Sequence, residues 1–505
     1  MIDILFIHPN ASKKIYQELS KKDSAIEPPI WAGLLANSVR SIGKSVCIID
    51  AEAEQLLDDE IATKVEDYNP RIVCIVVYGQ QPSASSQNMS GAVSAANQIK
   101  QNNPNRFILF VGGHVAALPI ETLKNEPSID AVCTNEGVYT IHALLSGSNS
   151  FRLHLDKISG LAYRDKNNNI NLNPYNNPVP KNDLDTMLPG IAWDLLPNFS
   201  NYRTAGWHSW SNKGDKAPFA AIYTSLGCPY KCSFCMINII NRNQPGDHIT
   251  SADSNKFRNW SPDFIIKQFD YFAEHNVVNI KIADELFVLN PNHFLKICDL
   301  IIDRGYKFNI WAYSRVDTCK PQYLSKLKKA GVNWLGLGIE NPDDTYRTEI
   351  HKSGYQSVNI VDQITQIRNE GINVGGNYIF GLPNETQESM EGTLNFAMEN
   401  PTEMANFYCA MAYPGSPLYN KAKAEGMDLP SKYESYSQHA YETLNLRNEQ
   451  LTSAQILKFR DKAWQAYHTH EPYKKLLLDK FGSHAVNQLE DTTKIKLKRK
   501  LVENM

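Results

Sequence analysis

A chain of 505 residues with 42% apolar and 10% aromatic content is long enough for two or three domains with buried cores, and is not a disordered polymer. Its net charge of −3 excludes a surface built to coat nucleic acid. No apolar run reaches membrane-span length, no basic leader precedes the first apolar run, and the odd count of nine cysteines fits a soluble, reduced, cytoplasmic protein with no membrane partner.

Residues 1–147 alternate short apolar runs, near 2–7, 46–49, 72–78, 107–111 and 129–133, with helical patterns. Continuous apolar strands between helices predict a parallel sheet buried on both faces. Five such units form a flavodoxin-like, doubly wound α/β domain, which binds ligands outside the carboxyl ends of its strands. Residues 148–216 are expected to be a linker. Asn, Asp and Pro crowd 165–185, and the runs 158–163 and 169–172 read as a hairpin. The linker ends in Trp207-His208-Ser-Trp210, either a docking patch or a lining for a ligand between domains.

From 217 to 429 a second alternation runs through six units, with strands near 220–225, 278–283, 308–313, 334–339, 374–380 and 407–412. Asn290-Pro291 and Pro321 open helices that Gly305 and Gly331 close, and Ser357 is expected to cap one ending at Gly371. Six parallel units predict a partial (β/α)6 barrel with its chemistry at the C-terminal strand ends. Residues 430–505 read as a helical region, with Lys494-Ile-Lys-Leu-Lys-Arg-Lys500 as a solvated helix face. Cys47, Cys74, Cys133 and Cys409 fall in expected buried strands, and Cys298 and Cys319 in or beside helices.

Directly after the first strand of this second alternation comes Ser-Leu-Gly-Cys228-Pro-Tyr-Lys-Cys232-Ser-Phe-Cys235. The C-x3-C-x2-C spacing lets one loop wrap an iron–sulfur cluster while leaving one iron open, and Phe234 is placed to shield it. The alternative is zinc with His248 as the nearest fourth ligand, although the flanking pattern is neither ribbon nor finger. Other strand ends carry polar or glycine signatures. Asp284-Glu285 is a carboxylate pair that accepts hydrogen bonds from a ligand, or a capping or surface pair. Arg315 forks onto a ligand carboxylate or forms an internal ion pair. Gly336-Leu-Gly338-Ile-Glu340 and Gly376-Asn-Tyr-Ile379-Phe-Gly381-Leu-Pro383 let a ligand approach the backbone.

The cysteine loop resembles that of the radical S-adenosylmethionine (SAM) superfamily, and the whole chain resembles the cobalamin-binding radical SAM proteins. The resemblance implies a [4Fe-4S] cluster on Cys228, Cys232 and Cys235. SAM would chelate the open iron and be split to a 5′-deoxyadenosyl radical by an electron from an external donor such as flavodoxin or ferredoxin. It implies SAM contacts at Asp284, Glu285, Arg315 and Glu340, with adenine against Gly376, Ile379 and Gly381. It also implies cobalamin over the strand ends of the first domain. Gly112-Gly113-His114, Asn135-Glu136-Gly137 and Pro28-Pro29 look like that fold, and Gly79-Gln-Gln-Pro-Ser83-Ala-Ser85-Ser86 approximates its serine-rich slot. The Asp-x-His-x-x-Gly signature is absent. Only His8-Pro9-Asn10 follows the first strand, which argues against a mutase more than against cobalamin. The implied activity is methylation of an unactivated carbon in a small-molecule substrate. The alternative is cobalamin-associated rearrangement or cyclisation.

Overall fold

In the computed structural model the chain is described at residues 2–21, 24–79, 81, 84–147, 151–244, 249–352 and 358–503. Ser83, His248 and Ser357 lie outside the described residues.

The first five strands are β1 (Ile2–His8), β2 (Val46–Asp50), β3 (Pro70–Val77), β4 (Ile108–Gly112) and β5 (Ala131–Cys133). They pair in parallel in the order β2-β1-β3-β4-β5. Leu5, Ile7, Val73, Ile75, Ile108 and Phe110 face one helical layer, and Ile4, Phe6, Ile72, Cys74 and Leu109 the other, so both faces are dry. The reversal of strand order between β1 and β3 opens a crevice at their carboxyl ends.

The hairpin falls in the segment expected to be a linker, yet it belongs to this sheet. Its strands β6 (Leu161–Arg164) and β7 (Ile170–Leu172) add antiparallel to β5, so seven strands continue past residue 147. Cys47 is only half-buried, at the edge strand β2, unlike the other strand cysteines.

The second sheet is formed by β8 (Phe219–Ile222), β11 (Asn279–Ile282), β12 (Asn309–Arg315), β13 (Val332–Glu340), β14 (Asn373–Phe380) and β15 (Met404–Cys409), all parallel and in chain order. The first of these was expected to run to residue 225. It stops at Ile222, and Ser225–Gly227 (β9) turns away to pair antiparallel with Phe257–Asn259 (β10). The helix after β13 is capped by Asn359, whose side chain accepts from Val361 N and Asp362 N.

Trp207-His208-Ser-Trp210 closes the bottom of the barrel. Trp207 packs edge-on against Trp311 and Trp334, at 4.5 and 5.0 Å between ring centroids. His208 is fully buried beneath β12, with Nε2 at 3.0 Å from Asn309 O, and burial pushes its pKa down to about 3. The patch docks one part of the chain on another, as one of its two readings held.

The opposite edge of the sheet, β15, is covered by the helix Ser453–His468. Phe459 meets Phe380, Tyr467 meets Phe407, and Arg460 Nε donates to Phe407 O at 2.8 Å. Unpaired edge carbonyls are thereby removed from solvent. The basic run 494–500 is not a solvated helix face. Residues 495–499 are irregular, and Arg499 is buried against Asp461 with Nε–Oδ2 at 2.8 Å. Periodicity could not show this, because the carboxylate that fixes it lies on a helix 38 residues earlier. Among the described residues no helix is long and apolar enough to cross a membrane.

The first sheet is tied to the β9–β10 pair beside the barrel by a buried ion pair. Glu136, just after β5, meets Arg258 of β10 at 2.7 Å, and Arg258 also donates to Val179 O and Asn241 Oδ1. Removing one partner of such a pair strands the other charge, at a cost of about 3–5 kcal/mol. Arg258→Met should therefore split calorimetric unfolding into two transitions, the earlier well below the native midpoint. A single transition at the native midpoint would contradict this coupling.

Candidate active site at the barrel mouth

Every polar signature at a barrel strand end falls on the same rim. The cysteine loop starts where Ile222 leaves the sheet, and its direction is set by Asp284 from the next strand end. Asp284 is 1% exposed and accepts from Thr224 N, Thr224 Oγ1 and Ser225 Oγ, each at 2.6 Å. Burial pushes its pKa up to about 6 against these hydrogen bonds. Its expected role as a SAM contact is therefore corrected: both oxygens are used inside the protein. Glu285 is different. It is half-buried, and burial raises its pKa to about 8, with Asp284 adding to the rise and Lys281 opposing it. Of the pair, Glu285 is the carboxylate left to a ligand.

The loop itself is tightly framed. Gly227 has φ +81°, and a Cβ there would lie 2.1 Å from Lys256 O, so only glycine fits before Cys228. Asn238 brackets Cys228, accepting from its N–H at 2.9 Å and donating to its carbonyl at 2.7 Å. Ser233 N donates to Ile350 O at 3.0 Å and Ser233 O accepts from Leu418 N at 2.8 Å. Phe234 is half-buried among Ile350, Ile379, Leu382 and Leu418, and covers one side of the loop. Burial raises all three thiols, Cys228 to about 12, so the thiolates form only when metal takes them. Among the described residues no three His, Cys, Asp or Glu side chains gather on one ion.

Arg315 forms the internal ion pair rather than facing outward. Its Nε and Nη2 donate to Asp317 at 2.9 and 3.2 Å, and its guanidinium lies over the Tyr230 ring at 3.9 Å. It clamps the cysteine loop from below by a cation–π contact. Glu340 sits at a bulge in β13 with φ +62°, a left-handed conformation costly for a side-chain-bearing residue. Its carboxylate pairs with the buried Lys352. Gly338 makes this pair possible, because a Cβ there would stand 2.4 Å from Lys352 Nζ.

On β14, Ile379 faces the rim beside Phe234. Gly376 and Gly381 face the other way. A Cβ at Gly376 would meet Tyr378 at 2.9 Å, and one at Gly381 would meet Ile456 at 2.7 Å. Their bareness serves the packing of the outer layer. Lys352, Thr224, Ser225 and Asn238 were missed by the sequence reading. Only Ser225 and Gly227, inside the cysteine motif, carried a signal.

In the first domain the glycines are likewise internal. A Cβ at Gly112 would lie 2.3 Å from Val77 O, and one at Gly113 would lie 3.0 Å from Met236, directly after Cys235. Side chains at either position would collide with the protein's own groups. Ser85 and Ser86 are held by His114, through His114 N–Ser85 Oγ at 2.8 Å and Ser86 Oγ–His114 Nδ1 at 3.0 Å. Asn135-Glu136-Gly137 binds the linker and the segment after the cysteines. The fit to a bulky ligand comes from the switch-point crevice instead. There His8 Nδ1 and the Tyr78 hydroxyl are buried at the carboxyl ends of β1 and β3 without hydrogen-bond partners among the described residues. His8 Nε2 is 3.6 Å from Glu52, and Trp31 stacks on Tyr78 at 4.5 Å. Orphaned polar atoms beside aromatic faces are what a flat ligand with polar edges would satisfy.

Comparison with known proteins agrees with this geometry. Residues 222–397 match the radical SAM superfamily and residues 22–145 match the B12 binding domain. An uncharacterized methyltransferase of Pyrococcus horikoshii is 29% identical over 481 residues, spanning 93% of this chain and 95% of that protein. The anaerobic magnesium-protoporphyrin IX monomethyl ester cyclase of Rubrivivax gelatinosus is 24% identical over 424 residues, 83% of this chain and 69% of that one. Among solved structures, the cobalamin-dependent SAM radical enzyme OxsB superposes with TM-score 0.66 at 15% identity, over 98% of this chain and 71% of its own. The methyltransferase TsrM from Kitasatospora setae superposes with TM-score 0.63 at 14% identity, over 98% and 99%. These two likenesses establish the fold. The two family matches place a B12 binding domain at residues 22–145 and a radical SAM superfamily domain at residues 222–397 of this chain.

Proposed function

We propose that the chain is a cobalamin-dependent radical SAM methyltransferase acting on an unactivated carbon of a small-molecule substrate. The observation that carries this reading is the placement of the switch-point crevice of the first sheet directly above the rim that holds the cysteine loop. Gly113 against Met236 is the point of contact. When bound, the cluster with SAM supplies the radical and cobalamin supplies the methyl group. The protein's own residues do the rest. Cys228, Cys232 and Cys235 hold three irons. Glu285 would receive the amino group of SAM, and Glu340, fixed by Lys352, would hold its sugar. Trp31, Tyr78 and Tyr223, all buried, keep water from a carbon radical formed between the two sites. The reaction takes place in the cytoplasm and draws its electron from a flavodoxin or ferredoxin.

A second reading, radical cyclisation or rearrangement without methyl transfer, is favoured by the cyclase relative. Mass spectrometry of the product separates them. Methyl transfer adds one carbon, with label arriving from SAM carrying a labelled methyl group; an unlabelled product with no added carbon supports the second reading.

Replacing any one of Cys228, Cys232 and Cys235 by Ala should abolish formation of 5′-deoxyadenosine by anaerobically reconstituted protein. Full activity in any single variant would refute the cluster assignment. Gly338→Ala should push Lys352 off Glu340 and weaken SAM binding by about tenfold, the loss of one charged hydrogen bond, while the cluster's absorption is unchanged. Binding at native affinity would show that the Glu340–Lys352 pair plays no part in holding SAM.

A further inference from the structure

Three polar rings at one corner of the barrel mouth belong to none of these roles, and each comes from a different part of the chain. Tyr408 is the next-to-last residue of β15. Its neighbour Phe407 packs outward on Tyr467, so alternation turns Tyr408 inward, on the side where Asn406 bonds Asn377 at 3.0 Å. Tyr16 ends the short helix Ser12–Tyr16 that follows β1. His439 lies on the C-terminal segment. The preceding Gln438 fixes it at the end of β15, its side chain accepting from Cys409 N at 3.0 Å and donating to Cys409 O at 3.1 Å. The His439 and Tyr16 rings are 5.6 Å apart between centroids.

Depth combined with openness sets these three apart. Burial pushes the His439 imidazole down to about 3 and raises both phenols. Water on the outer surface would prevent such displacement. Yet all three rings keep part of their surface exposed. Among the described residues no hydrogen bond reaches either ring nitrogen of His439 or the hydroxyl of Tyr16 or Tyr408, and none of these atoms is sealed off. Rings enclosed by protein but open at their polar tips face an internal hollow. Buried polar groups are otherwise almost always hydrogen-bonded. The hollow adjoins both sites already described. Glu340 of the rim adds to the rise at Tyr408, and Glu52 and Glu27, beside the crevice, add to that at Tyr16.

The charges around this corner are already matched. Glu340 pairs with Lys352, Glu27 with Lys281 and Glu52 with His8. Behind His439, Arg460 and Arg499 both pair with Asp461. The open groups are therefore a neutral imidazole, with one donor and one acceptor, and two phenols. A charged group entering here would lose its water without gaining a counter-ion. We infer that Tyr16, Tyr408 and His439 form a polar wall of the substrate site and receive an uncharged hydroxyl or carbonyl group of the substrate. This assignment rests on the radical SAM reading only for calling the ligand a substrate, and its test needs no turnover.

Diethyl pyrocarbonate, which acylates neutral imidazole, reads the openness in full-length reconstituted protein. Peptide mass spectrometry should find His439 modified at a rate that is flat between about pH 6 and 8, where an ordinary histidine reacts faster as it loses its proton. The groups facing it, Tyr16, Arg460, Asp461 and Arg499, keep their charge across that range. Saturation-transfer NMR with benzyl alcohol, benzamide, benzoate and benzylamine, which differ in one polar group, reads the ligand class. The alcohol and the amide should bind and slow the modification of His439, and the acid and the amine should bind at least about tenfold more weakly. Tyr16→Phe and Tyr408→Phe, which each delete one hydroxyl, should weaken the neutral probes about fivefold. Circular dichroism checks that both variants are folded. An inert His439, a modification rate that climbs with pH, absence of neutral binding, a preference for the acid or the amine, or neutral binding unchanged in both variants would each overturn the inference. Formation of 5′-deoxyadenosine in the same preparation reports separately on the radical SAM reading.

Discussion

A single carboxylate decides where the chemistry of this protein can occur. Asp284 stands at the end of the second barrel strand, and its two oxygens take three donors from the two residues that follow the first strand. Those bonds turn the chain out of the sheet at Ile222 and into the antiparallel pair with β10. Gly227 then tightens the turn, and the cysteine loop begins. Burying an aspartate is costly unless its oxygens are filled. Here they are filled by two hydroxyls and by one backbone N–H that a longer first strand would have committed to the ladder. The acid, the shortened strand and the position of Cys228 are one constraint. The adjacent Glu285, lacking such partners, is consequently the group whose charge depends on what binds.

The rim repeats this division between residues that build and residues that wait. Arg315 spends its fork on Asp317 and its face on Tyr230, holding the cysteine loop from beneath. Glu340 takes a strained backbone conformation that only the pair with Lys352 makes tolerable, and Gly338 is bare so that the lysine can reach it. Strain of this kind persists where the surroundings over-determine it. In the lumen, Gly336 gives its space to the Tyr313 ring, 2.8 Å from where a Cβ would be. Glycine on these strands is less a door for ligands than room for other side chains of the same protein.

Strand and helix order was legible because both sheets are parallel and buried on two faces. Their strands read as unbroken apolar runs, and helix starts and stops carry Pro and Gly. The cysteine loop was legible because its ligands are contiguous. What failed has one cause. The hairpin 161–172 joined the first sheet, Arg499 was buried by Asp461, and Gly376 and Gly381 turned outward toward Tyr378 and Ile456. Each outcome is set by a partner remote in sequence or across a layer, which local periodicity does not encode. Motif matching located the rim positions but not which side chain at each is tied up inside the protein. Asp284 and Glu285 are adjacent carboxylates with opposite fates, separated only by the alternation of a strand end.

The linker completes the design. Trp207 and His208 plug the barrel floor, while Trp334 Nε1 and Asn373 Nδ2 both donate to Ser211 Oγ, at 2.8 and 2.9 Å. Asn309 joins Asn279 and Asn333 across neighbouring strands, at 2.9 and 3.1 Å. An open six-stranded barrel would otherwise admit water from below. Sealed there, and covered above by the first sheet, the lumen is kept dry from beneath by the same short helix.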